Sequence, residues 1–239
     1  MAEWQYCALT DQGVRRQHNE DAVIALPHIG LWAVADGMGG HEAGDVASRM
    51  VIEELANVAR PTSFSFFIDA VEDALRTVND RLRQHAAETF AGRMMGSTVV
   101  SLLKSEGYGA CLWAGDSRLY RLHQGQLQQV SRDHSQVQQL LDSGVLTAEQ
   151  AEHHPNANVI TRAVGGAEQL VVDVAMFEVA PADRFLLCSD GLYNEMSRAR
   201  LAELLAQGSH EQAARLLLDE ALAAGARDNV SLIVLSVTP

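Results

Sequence analysis

The stretch LWAVADGMGGH, residues 31–41, runs five apolar or small side chains into Asp36, then places glycines at 37, 39 and 40 before His41. The apolar run has the length of a buried strand. The carboxylate at its edge is either part of an ordinary Asp-Gly turn or a group held at a strand end for something to bind. The rest of the chain repeats the arrangement. ACLWAGD ends in Asp116, FLLCSD ends in Asp190, and Asp228 with Asn229 immediately precedes VSLIVLSV. Glu20 and Asp21 open a further strand, AVIAL. Strands that gather these ends would crowd several carboxylates into a small volume. Such buried charge is costly unless it is protonated or neutralised by a cation.

Every candidate ligand in this set is an oxygen. The sequence contains no CxxC or HxxxH spacing; His153 and His154 are adjacent and the other histidines are scattered. Carboxylate-only sites suit Mg²⁺ or Mn²⁺. A carboxylate bridging two such ions about 3.5–4 Å apart would hold and acidify a water suited to phosphoryl transfer. Gly37, with no side chain, can turn its carbonyl inward beside Asp36, and Gly39 and Gly40 open backbone angles closed to other residues. A phosphate-cradling glycine loop fits poorly, since no lysine followed by serine or threonine comes after these glycines. In DQGVRRQHNED, Arg16 stands four residues before Glu20, where its guanidinium could grip phosphate oxygens. On an extended chain its neighbour Arg15 points the other way.

Composition narrows the classes further. With 18 Lys and Arg against 31 Asp and Glu, the net charge of -13 repels nucleic acid and anionic membranes, and a chain so charged needs a cation to handle phosphate. Cys7, Cys111 and Cys188 are odd in number and lie in apolar runs, as core cysteines do in a reducing compartment. The first residues lack a basic segment followed by a long apolar one, and no apolar run approaches the roughly 20 residues that span a bilayer. A soluble, cytoplasmic protein is expected.

Strand-length apolar runs occur at 4–10, 22–26, 31–35, 97–103, 108–114, 118–122, 170–179, 184–188 and 230–237. Helical periodicity over 64–86 aligns Phe67, Val71, Ala74, Leu75, Val78 and Leu82, and over 43–58 it aligns Ala47, Met50, Val51, Leu55 and Val58. Thr147 with Gln150 and Ser209 with Gln212 have capping-box spacing, the second followed by Ala213, Leu216, Leu217, Ala221 and Ala224 on one face. The order predicts an α+β protein, antiparallel sheet packed by helix pairs, in one domain over 1–239. The polar segment 131–166 reads as a flap-like insert beside a site or as a surface excursion.

Taken together, TDQGVRRQHNEDA (10–22), VADGMGGHEAGDVAS (34–48), GST (96–98), AGDSRLY (114–120), DH (133–134), HPNANVITRAVG (154–165), CSDGL (188–192) and ARDNVSLIV (226–234) resemble the metal-dependent protein Ser/Thr phosphatases (PPM, type 2C), bacterial branch. The resemblance implies an αββα sandwich of two antiparallel sheets flanked by helix pairs, with two Mn²⁺ or Mg²⁺ ions at the sheet edges. By position, Asp36 would bridge both ions and Gly37 would lend its carbonyl. Asp190 and Asp228 would complete the first ion, and Glu20 would serve the second through water. Asp21 and Asn229 would support these ligands, Arg16 would bind phosphate, and Asp116 with Asp190 would hold a third ion of the kind bacterial relatives often show. Eukaryotic members carry a histidine, the proposed general acid, where this chain has Met38; His41 or a water would replace it. Near Ala157, where relatives often carry a basic residue or serine, no role transfers. The activity implied is hydrolysis of phosphoserine and phosphothreonine on proteins by a monomer, opposing a bacterial Ser/Thr kinase. Hydrolysis of another phosphoester, a non-catalytic signalling module and a domain that binds metal only for stability remain alternatives.

Overall fold

The computed structural model describes residues 3–39, 42–89, 94–147, 150–151, 154–156 and 158–238. Strands β1 (Glu3–Asp11), β2 (Asp21–Leu26) and β3 (Leu31–Met38) come first. Helices α1 (Glu42–Ala56) and α2 (Phe64–Thr89) follow, then β4 (Gly96–Ser97), β5 (Val99–Lys104), β6 (Tyr108–Ala114), β7 (Arg118–His123) and β8 (Gln126–Gln129). After α3 (Gln136–Asp142) come β9 (Asp173–Glu178), β10 (Arg184–Cys188), α4 (Asp190–Tyr193), α5 (Arg198–Leu205), α6 (His210–Ala224) and β11 (Val230–Thr238).

All strand pairings are antiparallel. One sheet has the order β1-β11-β10-β7-β8, the other β2-β3-β5-β6-β9 with the short β4 beside β3. The outermost pairing joins the two ends of the chain, from Glu3 opposite Thr238 to Asp11 opposite Val230.

Strand alternation divides the apolar residues among three layers. On β3, Leu31, Ala33 and Ala35 pack with Val51 and Leu55 of α1 and Phe67, Val71, Leu75, Val78 and Leu82 of α2. Trp32 and Val34 face the other way, toward Phe185, Leu187, Ile233 and Leu235. On the far sheet, Leu186, Cys188, Leu232 and Val234 meet α5 and α6 through Leu201, Leu204, Ala214, Leu217 and Ala221. The four layers are therefore helix, sheet, sheet, helix, as the family resemblance implies.

Local differences from the sequence reading have identifiable causes. The 97–103 run is broken at Thr98, whose N–H leaves the ladder to reach Asp36 O at 2.8 Å. Only 173–178 of the 170–179 run is strand, because Leu170 and Val172 turn into the helix-side core instead. Leu216 and Ala224 are exposed, since the buried stripe of α6 is centred on Ala214, Leu217, Leu218 and Ala221. The Ser209–Gln212 capping box is complete, and Thr147 and Gln150 exchange the same reciprocal bonds. β8, with the polar sequence QLQQ, carries no strand signal of its own and is held by pairing to β7.

Candidate active site

The site lies where the inter-sheet layer stops being apolar. Asp36 is the next inward position of β3 after Trp32 and Val34, and β2 sets Asp21 directly opposite it. Asp116 follows β6, Asp190 begins α4 directly after β10, and Asp228 precedes β11. All of these except Asp21 line one cleft of about 790 Å³, together with Arg15, Arg16, Glu20, Met38, Asn158 and Ile160.

Crowding shifts the carboxylates together. Burial, then the charges of Asp21, Asp190, Asp116 and Asp228, push Asp36 well above the ordinary carboxylate range. Asp21 rises to about 7 through burial and its neighbours Asp190 and Asp228, although Ser231 and Ser189 oppose the shift; Ser189 Oγ donates to Asp21 Oδ2 at 2.8 Å. Asp116 rises to about 7, chiefly through burial and Asp190. Asp190 rises to about 6 through burial and Asp228, partly restrained by Arg16 and Arg118.

One wall of the cleft is the loop between β1 and β2. Arg16 Nη2 donates to Asp228 Oδ2 at 2.7 Å, the hydrogen bond that chiefly raises the arginine's own pKa. Asn229 fastens this loop: its Nδ2 donates to Gln12 O and His18 O, at 2.8 and 2.9 Å, while its Oδ1 accepts Glu20 N–H at 2.9 Å. The end of β3 and the start of α1 touch so closely that a Cβ at Gly37 would lie 2.0 Å from Gly44 O, and one at Gly44 would lie 2.7 Å from Glu20 Oε2. Glycine at 37 thus lets helix, strand end and Glu20 meet.

The donor set fits a hard divalent cation. It is all oxygen, and Asp190 Oδ1 is buried with no hydrogen-bond partner among the described residues. No three His, Cys, Asp or Glu side chains among the described residues are drawn into a closed cage. Like charges repel at such range, and Arg16 engages Asp228 Oδ2.

Comparison with known proteins bears on what such a cleft belongs to. The chain matches the family described as Protein phosphatase 2C over residues 12–224. The chain belongs to the protein phosphatase 2C family. It is 36% identical over 233 residues to "Serine/threonine protein phosphatase PstP" of Mycobacterium tuberculosis, a match covering 98% of this chain and 45% of that protein. The chain therefore spans about half the length of that relative. Among solved structures, "PppA, a key regulatory component of T6SS in Pseudomonas aeruginosa" superposes with a TM-score of 0.91 at 42% identity, covering 98% of this chain and 97% of that one. The catalytic domain of the phosphatase PstP "in complex with 2 Manganese ions" superposes with a TM-score of 0.89 at 34% identity over 100% of both chains.

For this family member, the structure brings Arg16, Glu20, Asp21, Asp36, Gly37, Asp116, Asp190, Asp228 and Asn229 to one end of the sandwich. His41 lies outside the described residues, as does Ala157. One sequence expectation needs correction. Arg15 does not point away from Arg16; both line the cleft, because residues 13–15 form a turn rather than an extended segment. Asn229 touches two of the expected ligands, its backbone N–H reaching Asp228 Oδ1 at 2.8 Å and its Oδ1 accepting the Glu20 N–H at 2.9 Å, and its Nδ2 also ties down the Arg16 loop. Of the 131–166 segment, Asn158 and Ile160 reach the cleft. Sequence reasoning passed over Thr98, Ser117, Arg118 and Tyr193, whose hydrogen bonds tie the site together; Arg118 stands in the AGDSRLY motif, but its buried partner Asp133 lies 15 residues on.

Proposed function

We propose that this chain hydrolyses phosphoserine and phosphothreonine on proteins, using divalent cations, Mn²⁺ or Mg²⁺, held in the carboxylate cleft. The observation that carries the reading is the gathering of Asp36, Asp116, Asp190 and Asp228 beside Arg16 in one open cleft. Family membership and the two manganese ions named for the PstP catalytic domain support it. Asp36, the Gly37 carbonyl, Asp190 and Asp228 would hold one ion, Asp36 and Glu20 a second, and Asp116 with Asp190 a third. Bound ions supply charge neutralisation and lower the pKa of water toward neutrality.

The remaining work falls to the chain's own groups. Arg16, on an open loop and already oriented by Asp228, grips the phosphate oxygens in fork geometry and swings its charge from carboxylate to substrate. Asp21 and Asn229 keep β2 and the Arg16 loop in place. Met38 lines the cleft and has no proton to give, so the departing serine or threonine oxygen takes its proton from His41 or from solvent. Substrates of this chemistry require a Ser/Thr protein kinase as counterpart, and the chain works as a cytoplasmic monomer; no helix of the described residues is long and apolar enough to cross a membrane.

The test is phosphopeptide hydrolysis with Mn²⁺, Mg²⁺ or EDTA. Turnover with either ion and none in EDTA is expected. Equal turnover in EDTA, or hydrolysis of nucleotides and sugar phosphates in preference to phosphopeptides, would overturn the reading.

A further inference from the structure

Asp116 sits on the turn between β6 and β7, and each residue from Gly115 to Arg118, the first of β7, is tied to a residue distant in the chain. Gly115 donates its N–H to His134 Nδ1 at 3.1 Å and accepts the His134 N–H at 2.9 Å. The Asp116 carbonyl accepts the Tyr193 O–H at 3.1 Å. Ser117 Oγ pairs with Thr98 Oγ1 at 2.7 Å, the oxygen that also accepts the Asp36 N–H at 3.1 Å. Arg118 lies over the Tyr193 ring, 3.5 Å from its centroid, and forks onto Asp133 through Nε and Nη2 at 3.0 and 2.6 Å.

Tyr193 ends the single helical turn that Asp190 begins. One rigid turn, about 5.4 Å in pitch, therefore carries Asp190 at one end and the hydroxyl that holds Asp116 at the other. We infer that Tyr193 and Arg118 are positioning residues that latch the Asp116 loop to the Asp190 turn and so set the cation position these two carboxylates share.

The electrostatics favour a latch over a packing role. A phenylalanine would fill the same space, and among the described residues the Tyr193 hydroxyl donates to the Asp116 carbonyl. Arg118 brings a cation beneath the site, yet Asp133, its side chain 8% exposed, neutralises it in bidentate geometry. Arg118 thus spends its guanidinium on Asp133 and the Tyr193 ring, while its charge still partly restrains the pKa rise of Asp116 and Asp190.

This inference rests on the metal-dependent reading above. Its test is direct Mn²⁺ binding, with free Mn²⁺ followed by electron paramagnetic resonance, on the wild-type chain, Tyr193→Phe and Arg118→Lys, alongside thermal melts in EDTA. In both variants the weakest-bound Mn²⁺ should bind ~10–100-fold more weakly, as when a group that orients a metal ligand is removed. The tighter sites and the melting temperature of Tyr193→Phe should match the wild type. Superimposable isotherms for wild type and Tyr193→Phe overturn the latch while leaving metal binding intact. Uniform weakening of all sites with a lowered melting temperature assigns Tyr193 to the fold alone and also overturns it. A wild-type chain that binds no Mn²⁺ overturns the underlying reading instead.

Discussion

Along β3, β10 and β11 the positions facing between the sheets run from Trp32, Val34, Phe185, Leu187, Ile233 and Leu235 to Asp36, Ser189, Ser231 and Asn229. The same strands and the same alternation build both ends of the layer. At the apolar end, Trp4 stacks on Trp32 and Phe185, with centroids 5.6 and 5.5 Å apart, and burial removes large aromatic surfaces from water. At the polar end the same burial strips carboxylates of hydration and sets them against one another. One end supplies stability and the other consumes it. The apolar end must outweigh the strain at the mouth for the carboxylates to stay crowded enough to bind a cation.

Substitutions at each end should separate these roles. Asp36→Ala is expected to cut Mn²⁺-dependent turnover ~10³-fold, since metal assistance is worth several kcal/mol and each 1.4 kcal/mol is tenfold. Circular dichroism should show it folded, and a melt in EDTA should be no lower than that of the wild type. Near-normal turnover would break the site assignment. Phe185→Ala should do the reverse, losing ~3–5 kcal/mol of stability by chemical denaturation while the folded fraction keeps its metal requirement. A stability loss confined to Asp36→Ala would invert the comparison.

Smaller effects refine the picture of the mouth. Arg16→Ala should lower kcat/KM for phosphopeptides ~10–100-fold, the worth of about 1.5–3 kcal/mol for hydrogen bonds to a charged group. Arg15→Ala, on the same wall, should cost about threefold or less. Equal losses would show that both guanidinium groups hold phosphate.

The pH dependence of stability provides a last check. Asp21, Asp116, Asp190 and Asp36 all have folded pKa values above their unfolded ones, so the folded state binds more protons and stability falls as pH rises from about 4 to about 7. His134, whose pKa burial lowers, opposes this below about 6.5, but as a single group. In EDTA, denaturation should give a slope of about 1.4 kcal/mol per pH unit for each net proton taken up on folding. Added Mn²⁺ should flatten it, and a slope of opposite sign would mean that the carboxylates are not crowded.

The parts of this design that a sequence can show are those written as patterns. Period-two alternation and aspartates at the edges of apolar runs, after the run for Asp36, Asp116 and Asp190 and before it for Asp228, marked the residues that line the cleft, and 3.6-residue periodicity marked the buried face of α2. What did not show were contacts between residues far apart in the chain. The reach of Tyr193 to Asp116 spans 77 residues and that of Asn229 to Gln12 spans 217, and a tyrosine or asparagine carries no local mark of its distant acceptor. The orientation of Arg15 was misread because alternation holds only for extended backbone, and a turn at 13–15 abolishes it.

The pairing of β1 with β11 has a consequence in time. These strands lie more than two hundred residues apart, from Glu3 opposite Thr238 to Asp11 opposite Val230, and Asn229 at the start of β11 fastens the loop that carries Arg16. A chain still emerging from the ribosome can therefore assemble neither its edge strand nor its arginine wall until β11 has been made. Such long-range closure is slow to form. The activity proposed for this fold would arrive only once β11 has been made and paired with β1, so a nascent chain that still lacks β11 cannot act on its neighbours.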